Sequence, residues 1–532
     1  MNLIGNINAI PFRRFRGGGG VAPFPSIPGM IARYSALGLT NEQMAANPVW
    51  VDKMGNGYDL QLKNFSWKGM FGVGGYGDEN HQTFYKFTLD DYVFIATPPG
   101  VKHMNFTFRV TGLQPGNKLT LAFFGTTNTV YGTWNKDGIY TVDADIVEAG
   151  KPTYFYNGYG ATRGEFTIEI LPLYPGALVF DGVDDYGVCG NFPILTKEKG
   201  YTVVALRQWD QDFLNTTLTG GLLSTRNYST GEGVAFEKIE SSNKGYWNLG
   251  AGGIIDFAKS PFTWQTSKQY NNVGILKGDK NHGKPLCVGC GLSGGQQCGR
   301  FAIWELVFLD HDATEEELTK IKDYFVKTYP WLFPDQAWTV VGKTNEDEDR
   351  ATIANITGNG NNLVLSNFGF AEGSGYNEEG EYAGYLVTDG VDDKINSSNF
   401  DLGKDWTIVG DWTMLSNIPS NCGIIKASSL FLYNSIDSVT IYINNGGRPI
   451  KIQSKSINAI CSDGRIYLND WTEISKPGVQ TELGSKANLN ITSYGTTFTK
   501  MAFKNLAIYD GKILSKDECI KAYNYLQTLK AK

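Results

Sequence analysis

The sequence predicts an all-β protein: two related β-sandwich modules, the first carrying a small inserted β-sandwich, behind an extended N-terminal peptide. Composition is the first of three observations that lead there. Among 532 residues there are 64 glycines, and charged residues make up only 19 %, a mixture that suits sheets joined by many turns rather than helix bundles. The second is self-similarity at domain-sized spacing. Phe180-Asp-Gly-Val-Asp-Asp185 recurs as Thr388-Asp-Gly-Val-Asp-Asp393, and Gly55-Asn-Gly-Tyr-Asp-Leu-Gln-Leu-Lys-Asn-Phe65 recurs without gaps as Gly358-Asn-Gly-Asn-Asn-Leu-Val-Leu-Ser-Asn-Phe368. The third is period-two alternation of apolar and polar residues, clear in Met104–Val110 and Lys118–Phe124, with the turn Leu113-Gln-Pro-Gly-Asn117 between them.

Each element follows in chain order. Residues 1–30 hold Arg16-Gly-Gly-Gly-Gly20 and a proline-rich run to Pro28, too poor in core formers to fold alone. Ile4, Ile7, Ile10, Phe12 and Phe15 are apolar anchors that a spacer would not need, so the segment reads as an attachment peptide. In the second copy the Gly-Asn-Gly run lies some thirty residues before the Asp-Gly-Val-Asp-Asp turn, whereas over a hundred separate them in the first. An insertion in a surface loop explains the difference, because long loop insertions cost little closure entropy. The first module is therefore 31–77 with 176–333, the insert 78–175, and the second module 334–532. Thr314-Glu-Glu-Glu317 and Ser515-Lys-Asp-Glu518 are capping boxes that open amphipathic helices, one with Leu318, Ile321, Tyr324 and Phe325 apolar, the other with Ile520, Tyr523 and Leu526. Pro330 and Pro334 end the first helix and begin the link between modules.

This ordered series of motifs resembles the concanavalin A-like (laminin G-type) jelly roll, over residues 34–77 with 176–333 and again over 337–530. The second copy is looser: Thr388 stands for the phenylalanine at Phe180, and Lys394 for the tyrosine at Tyr186. The overall plan also resembles head or tail fibre proteins of tailed phages, the crAss-like group included, in which an attachment peptide precedes tandem lectin-like modules. The resemblance implies adhesion to host-surface or environmental glycans, a virion location after assembly in the host cytoplasm, other virion proteins as partners through the N-terminus, and a homo-oligomer, with a trimer expected. A purely architectural virion protein and a polysaccharide-degrading glycoside hydrolase are the alternatives, since a fold does not fix a function.

Charge and cysteine usage narrow the classes further. A net charge of −7, with only Phe12-Arg-Arg-Phe-Arg16 locally basic, gives no reason to expect a nucleic-acid partner, and no apolar run approaches a bilayer span. No secretory signal is legible, and seven scattered cysteines read mostly as free thiols, as in a reducing cytosol. Hydrolysis of glycosides needs two carboxylates facing one groove. Glu237 and Glu240 have the wrong spacing, and Asn345-Glu-Asp-Glu-Asp-Arg350 reads as a polar loop, so the expectation is no enzyme. The oxygen-rich turns Asp181/Asp184/Asp185 and Asp389/Asp392/Asp393 are candidate calcium sites, with turn architecture as the stronger reading. Cys287, Cys290 and Cys298, with His282 close before them, have zinc-knuckle spacing without a fourth ligand at proper spacing, one that His282 or Cys189 would have to supply in space, and unligated thiols are the favoured reading. Tyr228, Trp247, Trp264 and Tyr270 lie in Gly/Asn/Ser-rich surroundings and are nominated as glycan platforms. Trp209, Trp304, Trp406 and Trp412 sit on strands and read as core.

Overall fold

The computed structural model describes most of residues 23–531; residues 1–22, 75–83, 194–200, 226–234, 247–253, 257–272, 278–284, 416–421, 444–449, 476–486 and shorter stretches between the strands lie outside the described residues. The chain is all-β, built from stacked antiparallel sheets. In the first sandwich one sheet runs Val273–Lys277, Thr202–Trp209, Arg300–Leu309, Leu178–Asp181, Gly72–Val73, with Met30–Ser35 also paired to Arg300–Leu309. The facing sheet runs from Ile254–Asp256 through Gly220–Ser224, Leu286–Val288 and Tyr186–Cys189 to Leu60–Lys63 and Val49–Trp50. Between them lies a core that includes Tyr34, Trp50, Phe180, Trp209, Phe301 and Phe308. Strands running nearly unbroken in buried residues, such as Thr202–Trp209 and Arg300–Leu309, are those covered on both faces.

Among the described strands, those from Phe84 to Leu171 pair only with one another, in two four-stranded sheets packed on Phe108, Leu121, Phe155 and Ile168. This small sandwich leaves and rejoins between two strands that are themselves paired, Gly72–Val73 and Leu178–Asp181. An excursion of this kind spares the host sheet, because its ends are already held together.

The second sandwich repeats the first at the level of register. Thr202 pairs with Leu309, and its counterpart Thr407 pairs with Tyr509; the bulge after Leu206 recurs after Asp411. Thr202 Oγ1 donates to His311 O while accepting from Ala313 N, and Thr407 Oγ1 does the same with Lys512 O and Leu514 N. That one hydroxyl fixes the turn leading from the long strand into each helix.

Three α-helices are present among the described residues: α1 (Asn41–Ala46), α2 (Glu315–Thr328) and α3 (Lys516–Leu526). Both expected capping boxes close: Thr314 and Glu317, and Ser515 and Glu518, each satisfy two first-turn donors. The buried faces of α2 and α3 join a single cluster with residues of both sandwiches, among them Trp304, Tyr329, Trp331, Tyr467, Trp471 and Tyr509. Polar contacts cross the same seam: Gln208 Nε2 donates to Thr528 Oγ1 at 3.0 Å, and Asn524 Nδ2 to Pro172 O at 3.3 Å. The two modules are thus packed together rather than strung on a free linker. No helix among the described residues is long and apolar enough to cross a membrane.

The N-terminal segment joins this packing earlier than expected. Phe24 stacks edge-on against Tyr324 at 4.7 Å and lies under the Arg33 guanidinium, and Ile27 is buried, so the docked chain begins before residue 30.

Candidate functional site

The repeated Asp-Gly-Val-Asp-Asp turns are the most chemically distinctive feature among the described residues. In the first, the strand Leu178–Asp181 stops and Gly182 takes φ +76°. A side chain there would place its Cβ 2.7 Å from Arg300 Cβ, so glycine is required twice over, by conformation and by space. Asp181 Oδ1 accepts from the amides of Val183, Asp184 and Asp185 at 2.7, 3.2 and 3.3 Å, and Asp185 Oδ2 accepts from Asp181 N at 3.0 Å. The second turn repeats this: Asp389 Oδ1 accepts from Val391 N and Asp392 N, Asp393 Oδ2 accepts from Asp389 N, and Gly390 has φ +78°. Asn64 and Asn367, near the ends of the Gly-Asn-Gly repeats, each adopt positive φ and donate to the turn carbonyls of Asp184 and Asp392. The two repeated motifs are thereby one structural unit, read twice. Val183 and Val391 stand at the tips, 70 % and 69 % exposed.

Three carboxylate oxygens in each turn lie within 4.8 Å of one another, the spacing that could hold a cation. The hydrogen bonds give these oxygens a different task. Asp181 already serves three amides, and burial pushes the Asp185 carboxyl up to about 8, with the Asp181 charge adding to the effect. Burial likewise raises Asp393 to about 6. A carboxyl that holds its proton at neutral pH, as Asp185 does, is a poor ligand for a hard cation, whereas Asp393 is mostly ionised there. These are the residues that could take calcium, and the turns are complete as hydrogen-bonded structures without it.

Beside the first turn lies the cysteine-rich hairpin. Cys287 and Cys290 form a disulfide, which corrects their reading as free thiols and removes two ligands from the zinc-knuckle expectation. The spacing that suggested a knuckle instead spans a strand end, where Gly289 has φ +95° and lies against Phe180 and the Asp185 carbonyl. Cys298 remains a buried thiol, pushed up to about 12 by burial and by the facing Asp181, Asp185 and Asp184. Cys189, Cys461 and Cys519 are also free and buried. His282 lies outside the described residues.

Sequence reasoning missed a second polar centre. Glu305, fully buried in the strand Arg300–Leu309, receives Arg33 Nε and Nη2 at 3.0 Å each and Tyr329 Oη at 2.7 Å. Arg33 Nη2 also donates to Tyr324 Oη at 2.9 Å, and the guanidinium is stacked against Phe24. Burial raises the Glu305 carboxyl while Arg33 and Tyr329 pull it down. A glutamate within an otherwise apolar run was the available signal; its partner, 272 residues away, was not. The group is closed and fully paired, so it holds the first strand, α2 and the N-terminal segment together rather than facing a substrate.

The candidate binding and attachment residues fall where no geometry is described. Tyr228, Trp247, Trp264 and Tyr270, and Ile4, Ile7, Ile10, Phe12 and Phe15, lie outside the described residues. Trp209, Trp304, Trp406 and Trp412 are buried, as their strand positions suggested. The acidic run after Thr344 is a tied-down turn: Asp347 accepts from Thr344 N, Asn345 brackets Tyr376, and Lys343 pairs with Asp349.

No protein-family model matches the chain, and no curated protein matches it. Solved structures similar to it include a Trypanosoma rangeli sialidase in complex with the inhibitor DANA, 8 % identical over 73 % of this chain and 68 % of that one, with a TM-score of 0.27. The binding domain of Botulinum neurotoxin serotype D is 12 % identical over 64 % of this chain and 88 % of that one, with a TM-score of 0.25. The sialidase in complex with 2,3-difluorosialic acid covers 96 % of this chain and 93 % of that one at 7 % identity and a TM-score of 0.28. Likenesses at scores this low carry no argument about function.

Proposed function

We propose that the chain is a non-enzymatic adhesion protein of a virion, a head or tail fibre or surface decoration whose loops recognise host-surface or environmental glycans. The observation that carries this reading is the fusion of two copies of one sandwich through a common buried cluster. Two recognition modules held in fixed relation bind a repetitive surface with high effective concentration and without the entropy of ordering a linker. Acidic side chains of the two turns and of the core are committed to backbone amides and to Arg33. In this reading Tyr228, Trp247, Trp264 and Tyr270 supply apolar platforms for sugar rings. Ile4, Ile7, Ile10, Phe12 and Phe15 anchor the chain to other virion proteins, and the assembled fibre is a homo-oligomer, a trimer.

The test is binding of the full chain to an array of bacterial surface glycans, repeated with Trp247→Ala and Trp264→Ala. The expected result is retention of a defined glycan subset by the parent and a loss of about tenfold or more in the variants, some 1.4 kcal/mol, at unchanged melting temperature. Absence of glycan binding by a chain that is present on purified particles would replace adhesion with an architectural role. Release of reducing ends from a polysaccharide would overturn the non-enzymatic assignment.

A further inference from the structure

Cys461 is the last residue of the strand Ile457–Cys461, and Cys519 lies in the first turn of α3, yet the two thiols converge on one carbonyl. Both side chains are fully buried, and each lies among the groups that set the other's proton affinity. Both also approach one carbonyl: Cys461 Sγ is 3.8 Å and Cys519 Sγ 4.0 Å from Leu514 O, which accepts in addition from Arg465 Nη2 at 3.1 Å. A carbonyl has two lone pairs, and a thiol is the weakest of these donors. Removing both S–H protons would leave Leu514 O satisfied by Arg465, so oxidation forfeits no necessary hydrogen bond. Neither thiol belongs to any group of three metal-ligating side chains among the described residues, which argues for sulfur–sulfur chemistry rather than a metal.

We infer that Cys461 and Cys519 are a modification site, a dithiol that closes to a reversible disulfide by exchange with a small-molecule disulfide such as oxidised glutathione. The Cys461 thiolate attacks one sulfur of the small disulfide, expelling one small thiolate and leaving a mixed disulfide. Cys519 then gives its proton to the medium and attacks the Cys461 sulfur, expelling the second. Two protein thiols and one small disulfide become one protein disulfide and two small thiols, so electrons and protons balance. The order of attack follows from the site: the neighbouring Cys519, and Arg465 after it, lower the Cys461 thiol against the burial that raises it, whereas burial raises Cys519. Access comes through local opening of the first turn of α3.

The bond would fasten the helix that bridges the sandwiches. Helix α3 contributes Cys519, Ile520, Tyr525 and Leu526 to the shared cluster and Asn524 to the contact with Pro172. The first module has no equivalent, since Leu318 takes the place of Cys519 and Lys277 that of Cys461. The staple is a property of the second copy alone.

The experiment treats the folded full chain with oxidised glutathione and maps peptides without reduction. The expected result is a linked pair of peptides carrying Cys461 and Cys519, reversed by dithiothreitol, with a rise in melting temperature of about 5–10 °C. Cys519→Ser should abolish the linked pair and the rise while leaving the Cys287–Cys290 bond in the map. Recovery of both cysteines as thiols or as separate glutathione adducts, or linkage of either to a different cysteine, would overturn the inference. Because the linked pair is read on the unmutated chain, a variant that fails to fold leaves the test intact.

Discussion

Replacing Arg33 with alanine tests the buried ion pair most directly. Glu305 is fully buried, and Arg33 supplies two of the hydrogen bonds described above, leaving the hydroxyls of Tyr329 and Ser35 once the guanidinium is gone. Breaking a buried pair from one side costs about 3–5 kcal/mol, because the remaining charge is stranded. At about 2–4 °C for each kcal/mol in a unit of this size, the transition of the first sandwich should fall by roughly 10 °C or more. Part of the loss comes from the cation–π contact with Phe24, worth about 0.5–1 kcal/mol at a partly exposed site. A pH series separates the two contributions. Without Arg33 the Glu305 carboxyl rises further above its unfolded value, so the neutral form is preferred in the folded state. A group raised in this way contributes stability at pH below its unfolded pKa and loses it as pH rises through the folded one. The deficit of Arg33→Ala should therefore be largest at neutral pH and shrink as the pH falls toward about 4.3. Calorimetry at several pH values reads both effects. A deficit under about 1 kcal/mol, or one that does not change with pH, would refute the ion-pair account.

Three other outcomes follow from the geometry. Gly182→Ala and Gly390→Ala should each destabilise their module by about 1–3 kcal/mol. Gly182 is the worse case, because its added Cβ meets Arg300 at 2.7 Å against 3.0 Å to Lys500 for Gly390; equal, negligible shifts in denaturant midpoint would contradict this. Asp185 and Asp393 are raised to about 8 and about 6, so they favour folding at low pH, and this contribution is lost as pH climbs first through 6 and then through 8. Melting temperatures of Asp185→Asn and the parent should consequently converge toward about pH 4 and stand furthest apart above pH 8, the parent being the less stable there; a constant difference would exclude the raised carboxyl. Titration with calcium at neutral pH should leave the melting temperature unchanged, and a saturable rise abolished by Asp181→Asn would instead assign a cation to the turn.

Repetition made much of the fold legible. The Gly-Asn-Gly runs and the Asp-Gly-Val-Asp-Asp turns are constrained by backbone: positive φ at Gly182 and Gly390, positive φ at Asn64 and Asn367, and carboxylates cupping consecutive amides. Such demands select residue types locally, so they survive as readable strings. The capping boxes were readable for the same reason. The Arg33–Glu305 pair was not, because its two halves are joined only by strand pairing across the whole first module. The disulfide between Cys287 and Cys290 is not legible, since three-residue separation suits free thiols, a metal knuckle or a disulfide, and only the intervening strand geometry decides. The nomination of the binding aromatics rests on local composition, which marks a loop but not the direction in which its side chains face.

The two copies agree where the backbone dictates and differ where side chains fill space. The strand position of Glu305 is occupied by Asn505 in the second copy, and that of Arg33 by Ala337, both fixed by the repeated register. Tyr324, the partner of Arg33, has its counterpart in Tyr525, but Tyr329 falls opposite Lys530, so Arg33 and Tyr329, which donate to the glutamate, have both changed with it. In exchange the second copy carries Cys461 and Cys519 at the positions that Lys277 and Leu318 hold in the first. The contact between helix and sheet therefore differs in its chemistry, an ion pair with tyrosines in the first copy and two buried thiols beside the Leu514 carbonyl in the second. Changes of that kind preserve a scaffold while freeing its loops to diverge, and the shared buried cluster keeps the two scaffolds packed together. Under the adhesion reading proposed above, the determinants of glycan binding are accordingly to be sought in the loops peculiar to each copy rather than in the turns the copies share.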